Sequence, residues 1–598
     1  MSKIKNFINT TSANLKSTFV RFPATILFLV TITSLVFTEI EGSNFDDNIL
    51  ARIAFSCIFG AFLSIGLQFA VERFNNLRKY SLMLNIFSFA SAAVYYFLMT
   101  DGSISQSVVV HLFVIVFAIF AATLYIPSSK NMMNFGNVFL AHFKSAFISV
   151  LYSAVLFLGS AAIISAIDLL LYNIDYKVYA HSANIVFTFF LPVYYLSLLP
   201  KFNSQEEEDI RKSEISYNYP RVLEILVSYI TIPLISIFSI VLIIYFIKIL
   251  ATRVWPVGQV GPMVLGYSAA VYVIYILGSN LKNRLALLFR KVFPYVLIPL
   301  VAMQLVSSYI RIEAYGITES RYYVVLFGIF SITGALMLIF RKNKNPGAIV
   351  LLSACFAVLS IIPPMDAFTV SMNSQKSRLE EILTRNEMLE GNEIIPKSDL
   401  TIQDRHEITS ITDYMFRMGY LEEVEFFPAK YAKENSYYGN FDKIYGFNPQ
   451  YGSYTPEEEP RYMYAMLDVS KQMDIEGFDK FIKVNIFSST DKTEKIGEIN
   501  LGGKNYTINQ KFKDNELIIY ASDENNSTLI EVSLKQLIDG LLESVGDSKS
   551  VMDPEVLTVN KTTNAMKMKV IINEINVDRT VDEEMNINGN IFVFVAIP

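Results

Sequence analysis

Eleven long apolar runs crowd into the first ~365 residues of the chain, and the last ~230 residues contain none. The runs lie near 22–40, 50–71, 81–100, 107–126, 145–171, 183–200, 222–250, 260–279, 293–311, 321–340 and 347–364. A helix rises about 1.5 Å per residue, so segments of this length cross a hydrocarbon layer of about 30 Å. The expected fold is an α-helical polytopic membrane bundle of about eleven transmembrane helices, followed by a soluble α+β domain. Residues 1–365 form the membrane domain, 366–400 an amphipathic stalk or linker helix, and 401–598 an acidic α+β domain.

Charge placement supports these spans. All 26 Lys and Arg of residues 1–365 fall in connecting segments or at helix ends. A charge at the bilayer centre costs about 2.5–3.5 kcal/mol on insertion scales, so true spans exclude it. Of the 26, one set of loops holds 20; the opposite set holds Arg52, Lys177, Lys248, Arg253, Arg311 and Arg321. The positive-inside rule then places the N-terminus in the cytoplasm. An odd number of crossings carries the tail to the extracytoplasmic side, and one helix more or fewer reverses that. Lys3 to Arg21 before the first run imitate a signal peptide. No clean small-x-small cleavage site follows, and ten more spans do, so the run reads as the first membrane helix.

Composition divides the chain at the same place. Residues 1–365 carry a net charge of +10 and residues 366–598 a net charge of −16. An acidic exterior argues against nucleic acid and against docking on anionic lipid. Cys57 and Cys355 both fall inside predicted spans, so the tail has no disulfide framework and must be held by its own core. About 230 residues suffice for one.

The tail opens with a helical stretch, Ser374–Leu389, that places Leu379, Ile382, Leu383 and Met388 on one side. It reads as a stalk or as a helix lying on the membrane surface. A second helix is predicted at Gln403–Gly419. Strands follow at Lys480–Phe487, Leu517–Ala521, Lys567–Ile575 and Asn590–Ile597, with an amphipathic helix at Ser533–Val545.

Catalytic patterns fail on inspection. Gly502-Gly503-Lys504 lacks the leading Gly and the following Ser or Thr of a phosphate loop, and reads as a hairpin turn. Glu584 to Gly589 alternates oxygen ligands before a Gly, yet the twelfth position of a calcium loop is Val595, so a tight turn is expected. His111, His142, His181 and His406 make no helical zinc pair. Asp404-Arg405-His406-Glu407 is a polar cluster at a helix start, where acidic residues suit the dipole. No cofactor and no reaction is implied.

Polar residues within the spans are the exceptions. Asp168 falls near the outer end of the fifth run and Glu224 at the inner start of the seventh. An intramembrane carboxylate is a functional candidate, because a bare charge in lipid is costly; both are also close enough to an interface to be solvated. Gln68, Asn85 and Gln304 line a polar path or bond between helices. Pro192 and Pro233 can break their helices, though membrane helices tolerate Pro.

Several stretches carry a family likeness: Trp255-Pro256-Val257-Gly258, Asn283-Arg284-Leu285 through Arg290-Lys291-Val292-Phe293-Pro294, and the segment from Arg311 to Tyr322. Together with Phe368-Thr369-Val370-Ser371 and Gln375 to Leu379, they resemble the bacterial membrane proteins grouped as domain of unknown function 4153. The likeness spans roughly residues 20–385. It implies a multi-pass protein of the bacterial plasma (inner) membrane and no particular chemistry.

The same segments supply the candidate site. Arg253 and Trp255 lie in one short outer loop; Arg311, Glu313, Tyr315, Glu319, Arg321 and Tyr322 lie in another. Trp and Tyr suit a membrane interface, and Arg binds phosphate bidentately. The plainer alternative is an internal Arg–Glu network that orients helix ends and docks the tail. The functional expectation is a non-enzymatic envelope protein that senses, binds or scaffolds. Its expected partners are the lipid bilayer and an envelope protein, a lipid headgroup or a cell-wall ligand. The rival is a transporter or lipid translocator with an accessory domain.

Overall fold

The computed structural model describes the chain apart from residues 1, 43–45, 100–105, 132, 203, 205, 254, 256–259, 341–344, 433–436, 438, 439, 451–461, 489–492, 514, 546–548, 580–584 and 598. It divides into two compact units, Met1–Gln375 and Lys376–Pro598.

The first unit is helical. Its helices are α1 (Ser2–Arg21), α2 (Pro23–Glu41), α3 (Asp47–Arg73), α4 (Ser81–Leu98), α5 (Gln106–Tyr125) and α6 (Phe135–Leu170). They continue as α7 (residues 177–198), α8 (Glu207–Tyr217), α9 (residues 221–252), α10 (Val260–Leu277), α11 (Arg284–Tyr315), α12 (Glu319–Phe340) and α13 (Gly347–Leu359). A helix α14 (Ala367–Arg385) follows. Starts are set by side chains that satisfy the free amides of a first turn. Asp46 accepts from the Asn48 N–H, Asn134 from Gly136 and Asn283 from Ala286.

Nine of the described helices are long and apolar enough to cross a membrane. The other two apolar runs are α7 and the 13-residue α13. Much of the surface is apolar: Phe97, Leu169 and Phe340 are each almost four-fifths exposed. Such a surface is stable against lipid and not against water.

Pro192 and Pro233 do not break their helices. Each sits just after a π-helical turn, Asn184–Phe190 in α7 and Leu226–Thr231 in α9. Proline lacks an N–H and crowds the carbonyl four residues earlier, and a widened turn relieves both while the helix continues.

The second unit is α+β, as expected. A short hairpin, β1 (Leu389–Glu390) and β2 (Glu393–Ile394), precedes α15 (Ile402–Arg417). Then come β3 (Tyr462–Leu467), β4 (Lys480–Phe487), β5 (Thr493–Leu501), β6 (Lys504–Lys513), β7 (Glu516–Ser522) and β8 (Thr528–Ser533). The chain closes with α16 (Lys535–Val545), β9 (Lys549–Met552), β10 (Thr558–Thr562), β11 (Lys567–Arg579) and β12 (Met585–Ala596). One sheet runs β4-β12-β11-β3-β9 with β10 also on β11; a second is the meander β5-β6-β7-β8. Among the described residues only the β3–β9 pairing is parallel. One core joins both sheets, with Ile486, Ile508, Ile519, Val570 and Val593 all fully buried.

Gly502 and Gly503, both at positive φ, form the two-residue turn between β5 and β6 that the sequence predicts. Glu584 to Gly589 corrects the other expectation. Glu584 lies outside the described residues, and Asn586 to Gly589 are inside β12, paired with β11 from Asp578 to Ile575. Gly589 is not a turn residue. A Cβ there would lie 2.2 Å from the Glu574 carbonyl oxygen, beside the irregularity in β11, so glycine is required for close backbone approach.

Candidate functional site

The segment linking α11 to α12 is a tight turn whose carbonyls are tied from two directions. α11 ends as Gly316 takes φ +70°, its N–H donating to the Ile312 carbonyl at 2.8 Å. Arg321, in the first turn of α12, reaches back to donate to the carbonyls of Gly316 (2.8 Å) and Tyr315 (3.2 Å). Its guanidinium also lies over the Tyr315 ring, 5.4 Å from the centroid. From α14, buried Gln375 donates to the carbonyls of Tyr315 (3.0 Å) and Ile317 (2.9 Å), while Ser374 accepts from the Ile317 N–H at 2.9 Å. The Tyr322 hydroxyl donates to the Met365 carbonyl. A helix–turn–helix rim and the start of α14 are thus one hydrogen-bonded unit.

Beside this turn is a cavity of about 200 Å³. α11 contributes Ser307, Ser308 and Arg311 to it; α12 contributes Ser320, Arg321 and Val324; Gly261 and Pro262 come from the first turn of α10. Ser307 and Ser308 are each only 7% exposed. Arg311 is half-buried and makes no hydrogen bond or ion pair among the described residues. Among the described residues no carboxylate lines the space. Guanidiniums stay protonated at any physiological pH, so the arrangement donates hydrogen bonds and positive charge rather than accepting protons.

The structure therefore joins Arg311 and Arg321, which the sequence singles out, with serines and an α10 terminus that it does not. The other candidates lie outside the cavity lining. Arg253 is exposed, ending α9 in a left-handed conformation, and Trp255 packs half-buried against the α9–α12 core. Pro256 to Gly258 lie outside the described residues. Glu313 and Tyr315 are exposed, and Glu319 is the half-buried first residue of α12.

The carboxylates and amides of the spans are locally engaged. Asp168 accepts from the Ile174 N–H at 2.7 Å, closing the turn after α6. Glu224 accepts from the Asn283 amide at 3.2 Å, and that amide also donates to Ser228 at 2.7 Å. Asn85 donates to the Ser81 carbonyl and Gln68 to Glu72, each within its own helix; Gln304 reaches across to the Val324 carbonyl at 3.1 Å.

One polar cluster has no counterpart in the sequence reading. Asp366, 3% exposed, caps α14 by accepting from the N–H groups of Phe368 (3.0 Å) and Thr369 (2.9 Å) through Oδ1. Its Oδ2 is buried without a protein partner among the described residues, as is Nε2 of His111. The carboxylate lies within electrostatic range of His111, Tyr322 and Tyr323. An Asp directly before an apolar helical stretch was the available signal for the cap; nothing local links it to a histidine in α5.

The family model described as domain of unknown function (DUF4153) matches residues 22–390. An uncharacterized protein of Pasteurella multocida (strain Pm70) is 23% identical over 298 residues, covering 48% of this chain and 48% of its own length. The chain thus spans about half the length of that curated relative. No solved structure matches.

Proposed function

The chain belongs to the DUF4153 family of membrane-type proteins, and on that footing we propose a non-enzymatic envelope protein that senses, binds or scaffolds from the bacterial inner membrane. The observation that carries this reading is the cavity at the α10–α11–α12 rim, where Arg311 is half-buried and has no hydrogen-bond or ion-pair partner among the described residues. A half-buried guanidinium with no protein partner keeps its donors free for an anionic ligand. Under the positive-inside rule this rim and the acidic second unit face away from the cytoplasm. The partner is then an envelope component: a protein, a lipid headgroup or a cell-wall ligand.

A transporter would call on Asp168 or Glu224 as intramembrane carriers. Both accept hydrogen bonds that close local structure, which favours the binding reading.

Sidedness is the test. The helix that decides it is α13, whose 13 residues rise only about 20 Å. Thr493→Cys, in a chain carrying Cys57→Ala and Cys355→Ala, is treated in intact cells with a membrane-impermeant maleimide; Ser204→Cys serves as the cytoplasmic control. Labelling at 493 and not at 204 is the expected result. Labelling at 493 only after lysis places the second unit in the cytoplasm and sinks the envelope reading.

A further inference from the structure

We propose that the α10–α11–α12 cavity is a binding site for a phosphate-type oxyanion, carried on a lipid headgroup or free in solution. The proposal rests on the reading of this rim as a ligand site, and adds the chemistry of the ligand.

Four features converge. Arg311 and Arg321 put two guanidiniums on one cavity that no carboxylate lines among the described residues. The first turns of α10 and α12 both border it, through Gly261, Pro262, Ser320 and Arg321. Helix N-termini present free amides and roughly half a positive charge each, which suits an anion. The third feature is the behaviour of Ser307 and Ser308. Serines in membrane helices usually return their hydroxyls to a carbonyl one turn back; Ser149, Ser239 and Ser268 do so at 2.6–2.7 Å. Ser307 and Ser308 are each 7% exposed and line the cavity, and like Ser153 and Ser331 elsewhere in the bundle their hydroxyls make no hydrogen bond among the described residues. The fourth is preorganisation, because Arg321 is already fixed by the turn carbonyls and loses little freedom on binding.

Donor count selects the class. A carboxylate offers about four lone-pair sites, fewer than the five N–H donors of Arg311 with the hydroxyls of Ser307 and Ser308 can fill. A phosphate or phosphomonoester has more oxygens and a second charge, and Arg pairs with it bidentately. About 200 Å³ is the share of roughly seven waters at about 30 Å³ each, so a tetrahedral group fits with water to spare.

The test uses Ser320→Cys at the cavity mouth, in the full chain lacking Cys57 and Cys355, reconstituted in phosphatidylcholine nanodiscs. The rate of maleimide modification is measured with inorganic phosphate against chloride at equal ionic strength, and separately with phosphatidic acid in the disc. At about nine times Kd, occupancy leaves one-tenth of the sites free, so modification slows about tenfold. Slowing by inorganic phosphate identifies a soluble anion, and slowing by phosphatidic acid alone identifies a headgroup; either supports the proposal. Adding Arg311→Gln, which removes no hydrogen bond or ion pair among the described residues, should abolish protection, read as the ratio of that variant's own rates with and without the probe, since losing a cation beside the thiol also alters its basal reactivity. If neither probe slows the reaction, or Arg311→Gln is protected equally well, the assignment is overturned. The same cysteine probed in intact cells reports the facing of the rim, so a wrong topology and a wrong ligand class give different failures.

Discussion

Replacing Gln375 with Leu tests whether the rim is one mechanical unit. Leu has similar bulk and no donors, so packing is largely kept while two hydrogen bonds disappear. Tyr315 retains its bond from Arg321 at 3.2 Å, but the Ile317 carbonyl loses its Gln375 donor. A typical hydrogen bond is worth about 1 kcal/mol net, and leaving one buried acceptor unmade adds about 1–3 kcal/mol. Gln375 is 2% exposed, so water does not readily compensate. The turn should therefore be easier to open by about 2–4 kcal/mol, or about 30- to 700-fold at 1.4 kcal/mol per decade. Hydrogen exchange on the full chain in nanodiscs reads this directly. The amides of Gly316, Ile317 and Tyr322 are bonded at 2.8–2.9 Å. Their peptide should exchange at least about tenfold faster in the variant, while peptides from α3 stay unchanged. Exchange within about twofold of the parent would mean that Arg321 alone holds the turn, and the argument for a coupled rim would fail.

Two further outcomes follow from buried polar groups elsewhere. Arg21 and Glu72 form a bidentate ion pair at 2.7–2.8 Å, with side chains only 9% and 15% exposed, and Arg21 also donates to the carbonyls of Leu199 and Pro200. Arg21→Met leaves Glu72 facing Gln68 alone, and should cost about 3–5 kcal/mol; an unchanged thermal midpoint of the detergent-solubilised chain would refute this. In the second unit, Tyr445 is fully buried, its hydroxyl 2.9 Å from that of Thr412, and burial pushes its pKa up. Its stabilising contribution is full below the unfolded tyrosine pKa of about 10 and is lost as pH rises through the higher folded value. Proteolysis of the second unit should accelerate above about pH 10, and less so in Tyr445→Phe; identical alkaline profiles would remove Tyr445 as the cause.

The membrane bundle was legible because its signal is local: each span carries its own hydrophobicity, and Pro192 and Pro233 mark the turns that widen. Strand β4 matches Lys480–Phe487 residue for residue, since its alternation is visible without its partners. Strands β5 and β6 escaped because Lys, Asn, Thr and Gln fill much of them, and only pairing makes Ile499 and Ile508 core residues. The misread Asn588-Gly589 is the converse case. Its composition says turn, while contact with Glu574 on β11 makes it strand. At the site, Arg311 and Arg321 stood out because one short helix–turn–helix segment holds both. Ser307 and Ser308 look like ordinary span serines until they are seen lining the cavity, their hydroxyls unbonded among the described residues. Gly261 comes from another helix, and the approach of Asp366 to His111 joins residues far apart in sequence; no local pattern encodes either.

The most distinctive segment of the family likeness, Arg311 to Tyr322, thus separates into two physical roles. Gly316, Ile317, Arg321 and Tyr322 are engaged by the turn and by α14, and these positions would be demanded by folding alone. Arg311 is different, because its guanidinium makes no hydrogen bond or ion pair among the described residues, and a Leu or Gln would serve α11 as well. Arg321 belongs to both roles, fixed by the turn yet bordering the cavity. A purely structural explanation of the rim therefore accounts for Arg321 and leaves Arg311, Ser307 and Ser308 unexplained. A ligand of opposite charge accounts for all four with the same geometry.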